Sequence, residues 1–121
     1  MKRVLIVEDQ ADIRELIRLT LELDDFEIQE RVNGDDGLQA VTSFKPDLVL
    51  LDVMMPGTLD GFQVCQRIKQ SASSKRTKVV ILTARAQDAD QQAGKQAGAD
   101  GYLTKPFSPR QLLDMVQRQL G

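Results

Sequence analysis

Histidine and tryptophan are absent from this 121-residue chain, cysteine and tyrosine occur once each, and phenylalanine four times. Without histidine, imidazole acid–base catalysis and ordinary zinc sites are excluded. The single Cys65 cannot close an internal disulfide, and it shares an apolar helical stripe with Val64 and Ile68, so it reads as a core residue and not as a nucleophile. No apolar run approaches the ~20 residues that cross a bilayer. Charge of one sign is lacking too: 16 Lys and Arg stand against 18 Asp and Glu, for a formal net charge of −2. That balance offers no basic stripe to a phosphate backbone, so direct nucleic-acid binding is not expected. The Met1-Lys2-Arg3 start leads straight into an apolar strand without the longer apolar segment of a signal peptide, which makes a cytoplasmic location the expectation. No linker or low-complexity tail interrupts the chain, and the near repeat of Gln92-Ala93-Gly94-Lys95 in Gln96-Ala97-Gly98 is too short to indicate duplication. The length suits one core, so residues 1–121 are read as a single domain.

What is present is a set of short apolar runs that stop at polar residues. Val4-Leu5-Ile6-Val7 ends in Glu8-Asp9, Leu48-Val49-Leu50-Leu51 in Asp52, and Val79-Val80-Ile81-Leu82 in Thr83, while Tyr102-Leu103-Thr104 ends in Lys105-Pro106. Unbroken Val- and Ile-rich runs of this length are what strands buried on both faces look like, and such strands belong to parallel sheets. Between them, helical stripes recur at Ile13-Leu16-Ile17-Leu21, Leu38-Val41-Phe44, Val64-Cys65-Ile68 and Leu112-Leu113-Val116-Leu120. The alternation predicts five strand–helix units. Phe26-Glu27-Ile28-Gln29-Glu30 alternates and the strand before Lys105 is short, so these two are the natural edges. A flavodoxin-like doubly wound sheet of order 2-1-3-4-5 satisfies this, with its switch point between strands 1 and 3. Local punctuation agrees: Ser108-Pro109-Arg110-Gln111 spells a helix start, Lys45-Pro46 closes the second helix, Asn33-Gly34 predicts a turn before it, and 71–77 is a polar loop.

In such a sheet the strand ends lie side by side, so Glu8, Asp9, Asp52, Thr83 and Lys105 should converge on one crevice. Three carboxylates brought together repel one another unless a cation neutralises them, and hard oxygen donors with room for water and phosphate oxygens suit Mg²⁺. A carboxylate can itself attack phosphorus, and a Lys and a Thr nearby can take up the added negative charge. The set points to phosphoryl transfer onto an Asp. Taken alone, Glu8-Asp9 also reads as an acidic helix start, and Tyr102 as a strand residue covering a sheet edge.

From Lys2 to the last helix the chain resembles the response-regulator receiver domains of the CheY-like family. The resemblance rests on Val7-Glu8-Asp9, Leu51-Asp52-Val53-Met54-Met55-Pro56-Gly57, Leu82-Thr83-Ala84, Gly98-Ala99-Asp100-Gly101-Tyr102 and Leu103-Thr104-Lys105-Pro106-Phe107. It implies that Asp52 is the phosphoacceptor and Asp9 a direct Mg²⁺ ligand, with Glu8 supporting through water and the Met54 carbonyl completing the protein ligands. Thr83 would bond the phosphoryl group, Lys105 pair with it, and the Ala84 amide hold an oxygen. The Lys105-Pro106 bond would be cis, and Tyr102 would be the aromatic that moves with Thr83. The implied donor is a phosphohistidine on a sensor histidine kinase or phosphotransfer protein. The readout would be a downstream protein partner on the surface of helix 4, strand 5 and helix 5.

Two departures from the family pattern bear on that expectation. The stretch from Asp52 to Gly61 is one residue longer than the common form, and Gly101 stands where receivers of winged-helix regulators carry an Asp used in a dimer salt bridge; a phosphorylation-dependent dimer is left open. Arg85, two residues beyond Thr83, is a candidate for tuning phosphoryl lifetime. The fourth helix, with only Ala89, Ala93 and Ala97 as apolar contacts and Gly94 within it, is expected to be held loosely and to shift. Such a chain would be a signalling phosphoacceptor that catalyses only its own phosphorylation and dephosphorylation. A hydrolase of the haloacid dehalogenase type would want an acid where Met54 stands, and a flavin binder would want a phosphate-cradling loop where Glu8-Asp9-Gln10 stand. The remaining alternatives are a receiver-fold module that binds without phosphorylation, or a receiver fragment of a longer regulator.

Overall fold

The computed structural model describes residues 1–55, 59–84 and 88–121, with the backbone alone for 88–91. Strands and helices alternate as β1 (Lys2–Val7), α1 (Ala11–Leu21), β2 (Phe26–Arg31), α2 (Gly34–Phe44), β3 (Leu48–Asp52), α3 (Gly61–Gln70), β4 (Lys78–Thr83), α4 (Asp88–Ala97), β5 (Gly101–Thr104) and α5 (Pro109–Leu120). All the strand pairs are parallel, in the order β2-β1-β3-β4-β5. The predicted sheet is therefore the observed one, with the alternating strand and the short strand at its edges.

Strand periodicity divides the core in two. Leu5, Val7, Val49, Leu51, Val79 and Ile81 face one way and pack with Ala40, Val41 and Phe44 of α2, Val64, Cys65 and Ile68 of α3, and Ala97 of α4. Their neighbours Val4, Ile6, Leu48, Leu50, Val80 and Leu82 face the other way, onto Ile17 and Leu21 of α1 and Leu112 and Val116 of α5. Successive side chains of a strand point to opposite faces, so a run of four apolar residues feeds both cores at once. Burial pushes the Cys65 thiol up to about 11, which leaves it protonated and inert at neutral pH.

Helix ends follow from their caps. Ser108 accepts from the Gln111 amide and Gln111 returns the bond to the Ser108 amide, with Pro109 in the first turn; Asp60 and Gln63 repeat this reciprocal arrangement at α3. Asn33-Gly34 departs from its expected role as a turn. Asn33 is the N-cap of α2, accepting from the Asp36 amide at 2.8 Å, and Gly34 is already helical. An Asn side chain serves a helix start as readily as a turn, and the acidic first turn of Asp35 and Asp36 favours the helix dipole. Lys45 closes α2 in the left-handed region at φ 52°, just before Pro46. The two glycines of the near repeat do unlike things: Gly98 takes φ +90° after α4, as helix-ending glycines do, while Gly94 is buried within the helix.

Candidate functional site

The carboxyl end of β1 delivers Glu8 and Asp9, that of β3 delivers Asp52, and that of β4 delivers Thr83, one residue beyond the Leu82 that pairs with Asp52. The amide of Lys105 donates to the Thr83 carbonyl at 2.7 Å, which pins the end of β5 to β4 just before the cis Lys105-Pro106 bond. One carboxylate oxygen from each of Glu8, Asp9 and Asp52 lies within 4.8 Å of the others. The predicted convergence of strand ends is what the fold produces.

Lys105 holds this cluster from one side. Its Nζ lies 2.6 Å from Glu8 Oε1 and 3.3 Å from Asp52 Oδ1. Glu8 is fully buried, and its Oε2 accepts from the Gln10 amide at 3.2 Å. Asp52 is 2% exposed, and its Oδ1 accepts from the Met54 amide at 3.1 Å. Burial pushes the Glu8 carboxyl up to about 7 against the opposing pull of Lys105, and burial raises Asp52 as well. Two buried carboxyls side by side titrate as a pair, and a divalent cation added beside Lys105 would favour their ionised forms.

Asp9 Oδ1 is buried with no hydrogen-bond partner among the described residues. A buried carboxylate oxygen left unsatisfied is costly, and it is the kind of group that a bound ion explains. The donors are all oxygen, three of them carboxylates, and a cleft of about 170 Å³ lined by Asp9, Gln10, Asp52, Met54, Ala84 and Lys105 adjoins them. The residues present fit a hard divalent cation that keeps water or phosphate oxygens among its ligands.

Of the residues singled out in the sequence, Asp9, Asp52, Met54, Ala84 and Lys105 line this cleft, Glu8 lies buried behind it, and Thr83 is buried at the adjoining strand end. Met54 is 61% exposed, so its side chain does not anchor the loop in the core. Tyr102 sits apart, opposite Ile81 on β5, packed against the α2–α4 core. Arg85 and the 56–58 stretch of the longer loop lie outside the described residues. A second, apolar groove of about 350 Å³ shares Gln10, Ala84 and Lys105 with the cleft and adds Ile13, Leu16, Pro106 and Phe107.

Three contributors were not legible in the sequence. Arg14 Nη1 donates to the carbonyls of Glu8 at 3.0 Å and Asp9 at 3.2 Å. Gly61 opens α3 so close to β3 that a side chain there would overlap the Asp52 carbonyl and the Val53 backbone. Gly94 forms a notch in α4 that a methyl group would fill at the expense of the Tyr102 hydroxyl and ring edge. Arg14 gave one faint signal: a cation early in a helix opposes the macrodipole and so asks for another reason to be there.

Five parallel strands in this order, with an acidic cluster able to hold a cation at the switch point, define a doubly wound flavodoxin-like fold, in which the crevice beyond the strand ends is the place for a ligand. The family model for the response regulator receiver domain matches residues 4–117, and the chain belongs to that family, the receiver domains of two-component response regulators. It is 42% identical over 118 residues to the transcriptional regulatory protein ResD of Bacillus subtilis, covering 98% of this chain and 48% of ResD. The chain thus spans about half the length of the curated relatives it matches. Among solved structures, the chemotaxis response regulator CheY4 of Vibrio cholerae superposes with a TM-score of 0.92 at 32% identity, covering 98% of each chain. The receiver domain of the sensor histidine kinase PA1611 of Pseudomonas aeruginosa, which has a magnesium ion coordinated in its active-site cleft, gives 0.90 at 28% identity, covering 99% of this chain and 98% of that one. No described helix is long and apolar enough to cross a membrane.

Proposed function

We propose that Asp52 accepts a phosphoryl group from the phosphohistidine of a sensor histidine kinase or phosphotransfer protein. The observation that carries this reading is a buried acceptor, Asp52, 3.3 Å from Lys105 Nζ in a cleft that Asp9 and Ala84 also line. In the step itself the Asp52 carboxylate attacks phosphorus and the phosphorus–nitrogen bond breaks. Its electron pair stays on the imidazole, which takes up a proton, and an acyl phosphate remains on Asp52. When bound, Mg²⁺ supplies neutralisation of the acids and of the phosphoryl oxygens. Asp9, Asp52 and the Met54 carbonyl would hold it, with Glu8 in support.

The protein's own groups do the rest. Lys105, now shared between Glu8 and Asp52, turns to a phosphoryl oxygen; the Ala84 amide holds a second, and the Thr83 hydroxyl moves to bond the group. Tyr102 follows Thr83, and the surface of α4, β5 and α5 carries the change to a downstream protein or to a domain of a longer regulator. A protein donor approaching the cleft meets the apolar rim of Ile13 and Leu16. Arg85, two residues beyond Thr83, tunes phosphoryl lifetime through access of water to the phosphoryl group.

Intact mass after incubation with acetyl phosphate tests the reading, with and without Mg²⁺, for this chain and for Asp52→Asn. The expected outcome is one phosphoryl mass gain that needs Mg²⁺ and disappears in the Asn variant. No gain, together with no binding of Mg²⁺, would move the assignment to a module that binds partners without phosphorylation.

A further inference from the structure

We infer that Arg14 is a positioning residue for the cation site, acting through the main chain that carries Glu8 and Asp9. The inference rests on the reading that these acids hold a divalent cation. Arg14 lies on α1, not in the cleft, and its side chain is 21% exposed. Its Nη1 donates to two successive carbonyls, Glu8 at 3.0 Å and Asp9 at 3.2 Å, while its Nε lies 3.6 Å from Glu30 Oε1 on β2. Glu30 is held in turn by Arg18 Nε at 3.3 Å from its Oε2. The Glu8 amide donates to the Arg31 carbonyl at 3.0 Å, so the same turn is tied to β2 by its backbone as well.

Those two carbonyls belong to residues whose carboxylates form the acidic cluster, Asp9 lining the cleft and Glu8 buried behind it. The turn has left the β1 ladder and has not yet entered α1; its amides at Glu8 and Gln10 are held by the Arg31 carbonyl and Glu8 Oε2, and the carbonyls of Glu8 and Asp9 are held by Arg14. A planar guanidinium can bridge two carbonyls and a carboxylate in one fixed geometry, which a point-charge ammonium does not reproduce. Asp9 Oδ1, unpartnered within the described residues, has its place set by this main chain. Groups behind the ligands orient metal sites in this way, and their loss typically weakens metal binding 10–100-fold.

Electrostatics alone would predict the reverse. A fixed positive charge on the far side of the turn repels a divalent cation, so removing it should tighten binding if charge were all that Arg14 contributed. The sign of the effect therefore separates positioning from charge.

The experiment is a Mn²⁺ titration followed by EPR on the whole chain, comparing wild type, Arg14→Gln, Arg14→Lys and Glu30→Gln, with metal-free thermal midpoints and circular dichroism alongside. Positioning predicts about tenfold weaker Mn²⁺ binding for Arg14→Gln. Arg14→Lys should fail to restore it although it keeps the charge, and Glu30→Gln should show a smaller loss in the same direction. Unchanged or tighter binding in Arg14→Gln, or full recovery in Arg14→Lys, would overturn the inference while leaving the cation site standing. If Arg14→Gln does not fold, Arg14→Lys and Glu30→Gln decide the matter by the same criteria. Failure of the wild type itself to bind Mn²⁺ would instead overturn the site and the inference with it.

Discussion

Glu8 is fully buried, 2.6 Å from Lys105 Nζ and beside Asp52, yet burial outweighs the ammonium and raises its carboxyl from 4.5 to about 7. Between those values the folded chain keeps a proton that the unfolded chain has released, so the slope of stability with pH is negative there. The contribution is fully present below about 4.5 and is lost as pH rises through about 7. Asp52, raised by burial in the same direction, adds to the fall. In metal-free buffer the loss should be on the order of a few kcal/mol across this window. Urea midpoints with a chelator from pH 5 to 8 check it: Glu8→Gln, which carries no charge to bury, should flatten the profile and be the more stable protein at pH 8. Added Mg²⁺ should raise wild-type stability most at the alkaline end, where the acids are ionised and free to bind it.

At the scale of elements, α4 and β5 meet through one close fit. Gly94 reads in the sequence as a weak point worth ~1 kcal/mol against Ala in an isolated helix. The fold inverts that valuation, because a methyl group there would overlap Tyr102. Gly94→Ala should therefore destabilise the protein by about 1–3 kcal/mol through overpacking. In a Tyr102→Ala background the same substitution should stabilise it, since only the helix preference of Ala remains; urea midpoints of the four proteins give the cycle, and a same-sign effect in both backgrounds would reject the fit. The contrast marks where sequence reasoning reached and where it stopped. Strands were legible because Val4-Leu5-Ile6-Val7, Leu48-Val49-Leu50-Leu51 and Val79-Val80-Ile81-Leu82 feed two cores and so tolerate no polar residue. The acids and Thr83 were legible because they end those runs, and Lys105 because it ends Tyr102-Leu103-Thr104. Gly61, Gly94 and Arg14 were not, because each answers to a neighbour brought close by the fold: Gly61 to Val53, Gly94 to Tyr102, and Arg14 to Glu30 as well as to the nearby turn. Asn33 suits a turn and a helix start equally in sequence, because its side-chain oxygen serves either, and here it caps α2.

Over the whole molecule, two cores are served by alternate residues of the same strands, so neither can melt while the other keeps its sheet. Unfolding in urea should therefore be a single transition. The midpoint followed by far-ultraviolet circular dichroism, which reports all the helices, should coincide with that followed by the near-ultraviolet signal of Tyr102, the only Tyr in a chain without Trp. Separate midpoints would mean that the α3–α4 side loosens independently. The shared sheet also has a meaning for how such a chain can change in length. One residue inserted within β3, every position of which is buried, would exchange the faces of all that follow it and carry Asp52 ~3.3 Å along the strand away from Lys105. An insertion at the exposed Ala72-Ser73, in the loop leading into β4, disturbs neither core face. Substitutions can thus act on the cleft one residue at a time, but insertions and deletions sort by position: refused within the buried strands and admitted in the loops between elements, the longer stretch from Asp52 to Gly61 among them, so that lineages of this fold can vary in the lengths of their loops while the spacing of the acid-bearing ends stays fixed.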